Sequence, residues 1–495
     1  MTSVVQFDGR VEDAGDGRSS RRPWWALAAL AVAQFMVFLD ETVVNVSLPS
    51  IKVDLGFSQA TLAWVVSAYI VVFGGLVLLG GRAADLFGRR RVFLAGTAVF
   101  GVASLLDGLA QSQPMLLGAR VLQGVGAALA TPAALALVAE LFPVRAERAK
   151  ALSIWGALSG IGFAAGILLG GVITDAASWR WVFLINVPVA VAALLVVPRL
   201  VAAGPAADRR RFDLAGAVTV TAGMITLVYA LVKAPDYGWG SAQTLALVAA
   251  AAGLLAGFAV IERRRAAPLI PAGFLRRPGV LIPNLLQLLL GVSAISTLFL
   301  LTLMTQQVLG YSPLQAGVAY LPLASGVAAA TGVANRLVVR TGPRPLAIAG
   351  LAMAAAGMAR FAHVSAAADY WADVLPGMVI IGLGAGLSFV SITTAAMERV
   401  EDAAAGLASG LLSTSVQLGG ALGVAVLAGV VATQRTSQLL GSGATAVAAQ
   451  VGGLQLAFLL AGAVSLSAAL LALFTSGRGS AGAVPAAAVS AQASR

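Results

Sequence analysis

The sequence predicts an all-α integral membrane protein of about fourteen transmembrane helices, each needing about 20 apolar residues to span. Three observations predict this. The 495 residues are 59% hydrophobic and 11% charged, with a mean hydropathy of +0.91, whereas a soluble domain carries roughly 25% charged residues. Long apolar runs recur along the chain. The basic residues fall in alternate short loops between those runs.

The candidate spans begin near Trp24, Thr61, Arg91, Met115, Ala151, Arg180, Asp213, Gln243, Val280, Pro313, Pro345, Trp371, Gly406 and Leu454. Residues 1–22 mix Asp8, Glu12, Asp13 and Asp16 with four arginines, too acidic for the start of a signal peptide. They read as a cytoplasmic tail before an uncleaved first helix. Residues 476–495, rich in Ala, Ser and Gly, read as a disordered tail. The 56 glycines suit close helix packing in lipid.

Loop charge sets the orientation. The two tails and the even-numbered loops hold 26 of the 32 Lys and Arg residues. The opposite side holds Lys52, Arg180, Lys233, Arg360 and Arg435, and Arg120 lies inside a span. The positive-inside rule places both tails in the cytoplasm, and this alternation requires an even helix count.

Composition excludes several chemistries. Without cysteine there is no disulfide framework, zinc–thiolate site or cysteine nucleophile. A single histidine, His363, gives no metal cluster, and it lies in or beside an outer loop with no catalytic role. No G-x-x-x-x-G-K-[ST] occurs, so no P-loop ATPase is present. Gly382, Gly384 and Gly386 lie inside an apolar span with no strand before them and read as helix packing. The net charge of +11 fits anionic lipid rather than nucleic acid, because the cations flank spans. No paired catalytic carboxylates appear, so an enzyme is not expected.

An internal repeat divides the chain. Arg82 and Gly88 share an Arg-x5-Gly pattern with Arg336 and Gly342, each after the second helix of a six-helix block. Duplicated bundles are common in secondary transporters. The division is a tail (1–23), six helices (24–200), two linker helices (201–278), six helices (279–475) and a tail (476–495).

Four segments carry a family resemblance. Gly81, Asp85, Gly88, Arg89 and Arg90 match G-x-x-x-D-x-x-G-R-[RK]. Residues 39–49, LDETVVNVSLP, match L-D-x-T-x-V-N-V-A-L-P with Ser47 for Ala. Arg120, Gln123, Gly124 and Gly126 match R-x-x-Q-G-x-G-A. Gly156, Gly160, Gly162, Gly166, Gly170 and Gly171 follow a fifth-helix glycine signature, in which Ile167 stands where proline is usual. Over nearly its whole length the chain resembles the fourteen-helix drug:proton antiporters of the major facilitator superfamily. That resemblance implies two six-helix bundles plus two inserted helices, and alternating access. It implies a proton gradient as the driving force, with no cofactor and no metal. It also implies gating by residues 81–90 and a cavity lined by the first and fourth helices.

Charges inside the bilayer cost roughly 2.5–3.5 kcal/mol each on insertion scales and mark functional sites. Asp40, Glu41 and Arg120 are the charges well inside spans. With a rise of 1.5 Å per residue, Asp40 lies about 13 Å and Arg120 about 8 Å below the outer side. With the first and fourth helices lining one cavity, as the resemblance implies, these matching depths lead to the expectation that Arg120 neighbours Asp40 or Glu41, a pairing suited to proton coupling. Helical periodicity puts Gln34, Phe38, Glu41 and Asn45 on one stripe and favours Glu41 for the cavity. The resemblance favours Asp40, which ranks first because a motif match is more specific than one helical wheel. Asp107, near an outer end, is expected to be solvated. Further cavity candidates are Trp64, Tyr69, Gln123, Trp155, Asn284, Gln287, Gln306 and Gln307.

The expectation is a monomeric, proton-coupled exporter of amphipathic compounds in the bacterial cytoplasmic membrane. Its partners would be a lipophilic small molecule, protons and the lipid bilayer, with no nucleic acid. The alternative is an uptake permease or facilitator, for which so few intramembrane charges are a poor fit.

Overall fold

A computed structural model describes residues 22–142, 144–202, 214–264, 273–274, 277–365, 367–398, 400 and 405–475. The expected tails at 1–21 and 476–495 lie outside the described residues. Described residues form helices and turns, with no strand among them. The first seven helices are α1 (Arg22–Leu55), α2 (Gln59–Phe87), α3 (Arg89–Gly108), α4 (Gln113–Leu141), α5 (Arg145–Ala176), α6 (Trp179–Leu184) and α7 (Asn186–Leu200). Two follow, α8 (Leu214–Tyr237) and α9 (Ala242–Arg264). The remainder are α10 (Pro278–Leu303), α11 (Pro313–Ala319), α12 (Leu321–Thr341), α13 (Pro343–Arg360), α14 (Leu375–Met397), α15 (Ala405–Gly423), α16 (Thr433–Gly441) and α17 (Ala446–Ala472).

Twelve helical segments among the described residues are long and apolar enough to cross a membrane. Breaks inside some spans leave α6–α7, α11–α12 and α15–α16 as one crossing each. Shorter apolar stretches, Ala165–Ala176 and Val218–Leu231, lie in α5 and α8. The structure therefore sets twelve full candidate spans against the fourteen expected. Local chemistry fixes the ends. Ser58 opens α2 with a capping box, and Ser312 opens α11 with another.

The two loops matched by Arg-x5-Gly share one backbone solution. Gly88 (φ 95°) is the single residue between α2 and α3, and Gly342 (φ 78°) is the single residue between α12 and α13. A side chain is strained at such positive φ, so glycine is required at both positions.

Apolar burial drives association only weakly inside lipid, and close approach of small residues replaces it. A Cβ placed on Gly126 of α4 would stand 2.5 Å from the Phe100 amide nitrogen of α3. In α14, Gly382 meets the Leu323 carbonyl, Gly384 meets the Ala354 nitrogen and Gly386 meets the Val327 oxygen. That glycine run is helix packing. Gly162, Gly166 and Gly170 of α5 lie against Phe38, Leu39 with Thr42, and Val43 of α1. Gly156 and Gly160 belong to the same helix.

Helices α1–α7 pack among themselves, as do α10–α17. The pair α8–α9 leans through α8 on α2 and on the π-helical segment Val424–Ala432 that continues α15. The two groups meet where α2 lies on α15, where α5 lies on α11 and α12, and where α1 lies on α10. Gly74 of α2 faces Gln417 of α15, and Gly171 of α5 faces Pro313 of α11.

A bulky residue in the α1–α5 stripe should unseat it, because a Cβ at Gly170 already stands 2.7 Å from the Val43 carbonyl oxygen. Overpacking typically costs about 1–3 kcal/mol. Thermal unfolding of Gly170→Leu should show a lowered midpoint. Gly118→Leu should not, since nothing lies within 4 Å of that glycine. Equal midpoints for the two variants would remove the stripe as a packing determinant.

Candidate functional site

Helix α1 presents both acids. Neighbouring residues on an α-helix project about 100° apart, so Asp40 and Glu41 face different surroundings. Asp40 points into the first group of helices and is fully buried. Its Oδ2 accepts from Arg120 Nη1 of α4 at 2.8 Å. Its Oδ1 accepts from Gln123 Nε2 at 2.9 Å and from Asn186 Nδ2 of α7 at 2.8 Å.

Arg120 is held as fully as its partner. Nε donates to the Val65 carbonyl of α2 at 2.9 Å, and Nη1 also meets Gln123 Oε1. Its guanidinium lies 4.4 Å from the Tyr69 ring centroid and 5.7 Å from that of Phe183. Ser104 Oγ of α3 accepts from Gln123 Nε2 at 2.9 Å and from Asn186 Nδ2 at 3.4 Å. A buried ion pair is stable only when further hydrogen bonds satisfy both partners, and here they do. The network joins α1, α2, α3, α4 and α7 with all its members sealed from the surface.

Glu41 faces the other way and is only partly buried. Its Oε1 accepts from Gln417 Nε2 of α15 at 3.1 Å, so one hydrogen bond links the two helix groups. Close by, Gln306 Nε2 donates to the Val46 carbonyl of α1 at 2.6 Å. Asn45 Nδ2 donates to the Glu41 carbonyl at 3.1 Å. One acid is locked and its neighbour lies at the seam.

The remaining predicted residues are distributed around this pair. Gln34 is buried and donates to Thr131 of α4 at 3.4 Å. Tyr69 is sealed as the platform under Arg120, and its hydroxyl has no hydrogen-bond partner among the described residues. Trp64 faces Tyr229 of α8 with ring centroids 6.2 Å apart. Trp155 is buried in an apolar cluster with Ala26, Leu27 and Phe142. Asn284 donates to the Val280 carbonyl and accepts from Ser415, while Gln287 is buried with its Oε1 unpartnered among the described residues. Gln307 meets Gln450. His363 is exposed after α13, in the turn Phe361–His363.

In the 81–91 loop, Arg89 lies 3.7 Å from Asp85 and 3.2 Å from Glu140 of α4. Arg90 donates to the Val201 carbonyl after α7 at 2.9 Å. Gly81 sits at ordinary contact distance from Pro132. These links pin the adjoining ends of α2 and α3 to α4 and α7.

One expectation is corrected. Asp107 is fully buried rather than solvated, because α6 closes over the last turn of α3, where Leu184 and the Arg180 carbonyl press on Gly108. Asn186, Ser104, Gln417 and Glu140 are partners that the sequence reading missed. Asn186 and Gln417 are lone amides in apolar runs, and that isolation was their only signal.

Removing one member of the buried pair should be costly. Arg120→Ala leaves Asp40 uncompensated, at about 3–5 kcal/mol. Combining Arg120→Gln with Asp40→Asn restores neutrality, so the double variant should unfold at a higher temperature than Arg120→Ala. A double variant no more stable than the single one would show that charge balance is not what the network supplies.

The Major Facilitator Superfamily model matches residues 30–424. A puromycin resistance protein of Streptomyces alboniger is 41% identical over 458 residues, 90% of this chain and 88% of that one. A cephamycin export protein of Amycolatopsis lactamdurans is 42% identical over 410 residues, covering 81% and 84%. A lincomycin resistance protein of Streptomyces lincolnensis is 36% identical over 425 residues, covering 86% and 88%. Among solved structures, an inward-facing, unoccupied bacterial homologue of the human lysosomal transporter Spinster matches with a TM-score of 0.67. It covers 92% of this chain and 97% of that chain at 17% identity, a likeness of fold alone. A multi-pass helical bundle with the 81–91 loop signature, matched by the family model over most of its length, settles the assignment: the chain belongs to the major facilitator superfamily.

Proposed function

We propose that this transporter exports lipophilic, antibiotic-like small molecules across the bacterial cytoplasmic membrane in exchange for protons, by alternating access. Relatives at 36–42% identity that align over most of their length are named for puromycin resistance, cephamycin export and lincomycin resistance. The observation that carries the coupling is the Glu41–Gln417 hydrogen bond between the two helix groups, beside the sealed Asp40–Arg120 pair.

The division of labour follows from the contacts. Asp40 already accepts three hydrogen bonds, which leaves it little capacity to exchange a proton without dismantling the network. Glu41 accepts one from a side chain and is partly open. A hydrogen bond to an ionised carboxylate is roughly twice as strong as one to a neutral acceptor. Protonation of Glu41 therefore loosens the link to Gln417, and loss of the proton restores it. A substrate that displaces Gln417 from the carboxylate competes with the proton, which is the requirement for exchange. In this reading the chain is a monomer of six, two and six spans with both termini in the cytoplasm, needs no cofactor and performs no covalent chemistry. The alternative is uptake or facilitated movement of a metabolite.

Puromycin efflux from intact cells, with and without a proton uncoupler, tests the proposal. The parent should extrude it in an uncoupler-sensitive way. Glu41→Gln should lose that efflux on the order of 100-fold, the scale of a lost proton-transfer group, at unchanged membrane abundance. Full activity in both Glu41→Gln and Asp40→Asn would sink coupling at α1. Uncoupler-insensitive accumulation by the parent would favour the permease.

A further inference from the structure

Asp107 occupies the last turn of α3. Its side chain is fully buried, and neither carboxylate oxygen has a hydrogen-bond partner among the described residues. The two acids of α1 are both paired, Asp40 with Arg120 and Glu41 with Gln417. An isolated ionised carboxylate in such a setting costs several kcal/mol, and the group takes up a proton instead.

Its position connects it to the network. Ser104 stands three residues earlier, on the same face of α3. Ser104 Oγ accepts from Gln123 and Asn186, and both of those amides also donate to Asp40 Oδ1. The charged groups within electrostatic reach of Asp107 are Arg120 of α4 and Asp40 of α1. From α6, Arg180 donates to the Ala110 carbonyl, but its guanidinium is held by Asp54 at 2.7 Å. From α2 comes Tyr69, whose hydroxyl is also unpartnered. The cation of α7, Arg199, lies at the opposite end of the bundle, in the last turn of that helix. One guanidinium thus lies within electrostatic reach of two buried carboxylates, and these three groups are neutral together only when they hold one proton.

We propose that Asp107 is a second exchangeable-proton site, holding the coupling proton at the outer end of the Asp40–Arg120 network. This rests on the proton-driven reading above. When the outer side opens, a hydronium ion gives its proton to an Asp107 oxygen, forming one O–H bond and leaving water. Release reverses that step to a water molecule. Two carboxylates within electrostatic reach of one guanidinium, only one of them bonded to it, cannot both stay ionised at low cost, so the pair retains one proton between them.

Infrared spectroscopy and puromycin efflux, both on the purified protein in liposomes, test this. In the parent, a carbonyl stretch from a buried protonated carboxylic acid should be present, and it should vanish in Asp107→Asn. The same variant should lose efflux driven by a proton gradient on the order of 100-fold, as for a lost proton-transfer group. Asp107→Glu should recover both the band and much of the efflux, which a packing defect alone would not allow. An unchanged band, or proton-driven efflux with the parental pH profile in Asp107→Asn, overturns the site. A band lost in Asp107→Asn, in a parent whose efflux ignores the uncoupler, keeps the proton site and overturns the coupling reading.

Discussion

The structure turns on the buried bond between Asp40 and Arg120. Two charges removed from water cost several kcal/mol each, and their attraction offsets this only when their other hydrogen-bonding groups are satisfied. Satisfaction here draws on Gln123, Asn186 and the Val65 carbonyl. Each partner comes from a helix that must sit at a fixed rotation and height. The pair therefore fixes the rotation of α1, and with it the direction of the next residue. Glu41 faces Gln417 because Asp40 cannot turn. Rigidity on one side of α1 is what holds a second acid at the seam on the other.

The way the helices touch permits that arrangement to move as a body. Within the first group, glycine brings α5 against α1 and α4 against α3 closely enough to meet backbone atoms. Such contacts gain dispersion energy without interlocking long side chains. Small residues also line the seam between the groups, at Gly74 against Gln417 and Gly171 against Pro313. Polar links there are single hydrogen bonds, such as Ser67 to the Ala421 carbonyl at 3.5 Å and Gln306 to the Val46 carbonyl. The network inside the first group has more bonds per residue than the seam. Relative motion of the groups should therefore break the seam before the network.

Much of this was legible in the sequence because its causes are local. Apolar run length gives twelve of the fourteen expected spans at full length, and Gly88 and Gly342 sit where a one-residue link demands positive φ. The ion pair was foreshadowed by similar depth together with the family resemblance, which puts the first and fourth helices on one cavity. Helical periodicity turns Glu41 away from Asp40, and the structure sets it against Gln417 of α15. What stayed hidden depends on distant chain. Asp107 reads as a solvated helix end until α6 covers it. Tyr69 and Gln123 read as lining residues until Arg120 claims them both. The α6–α7 break that brings Asn186 to Asp40 lies in a run whose hydropathy looks continuous.

The electrostatic burden is one-sided. Asp40, Arg120 and Asp107 are all buried in the first group, whereas the buried polar residues described from Asn284 to Thr475 are uncharged. A neutral amide, Gln417, is what the second group offers to Glu41. Such a partner can accept or release the carboxylate without leaving an unpaired charge of its own, which a lysine or arginine there could not do. A mobile seam between two bundles is best built with the charge on one side and amides on the other. Such a bond can be made and broken without stranding a second charge in the seam.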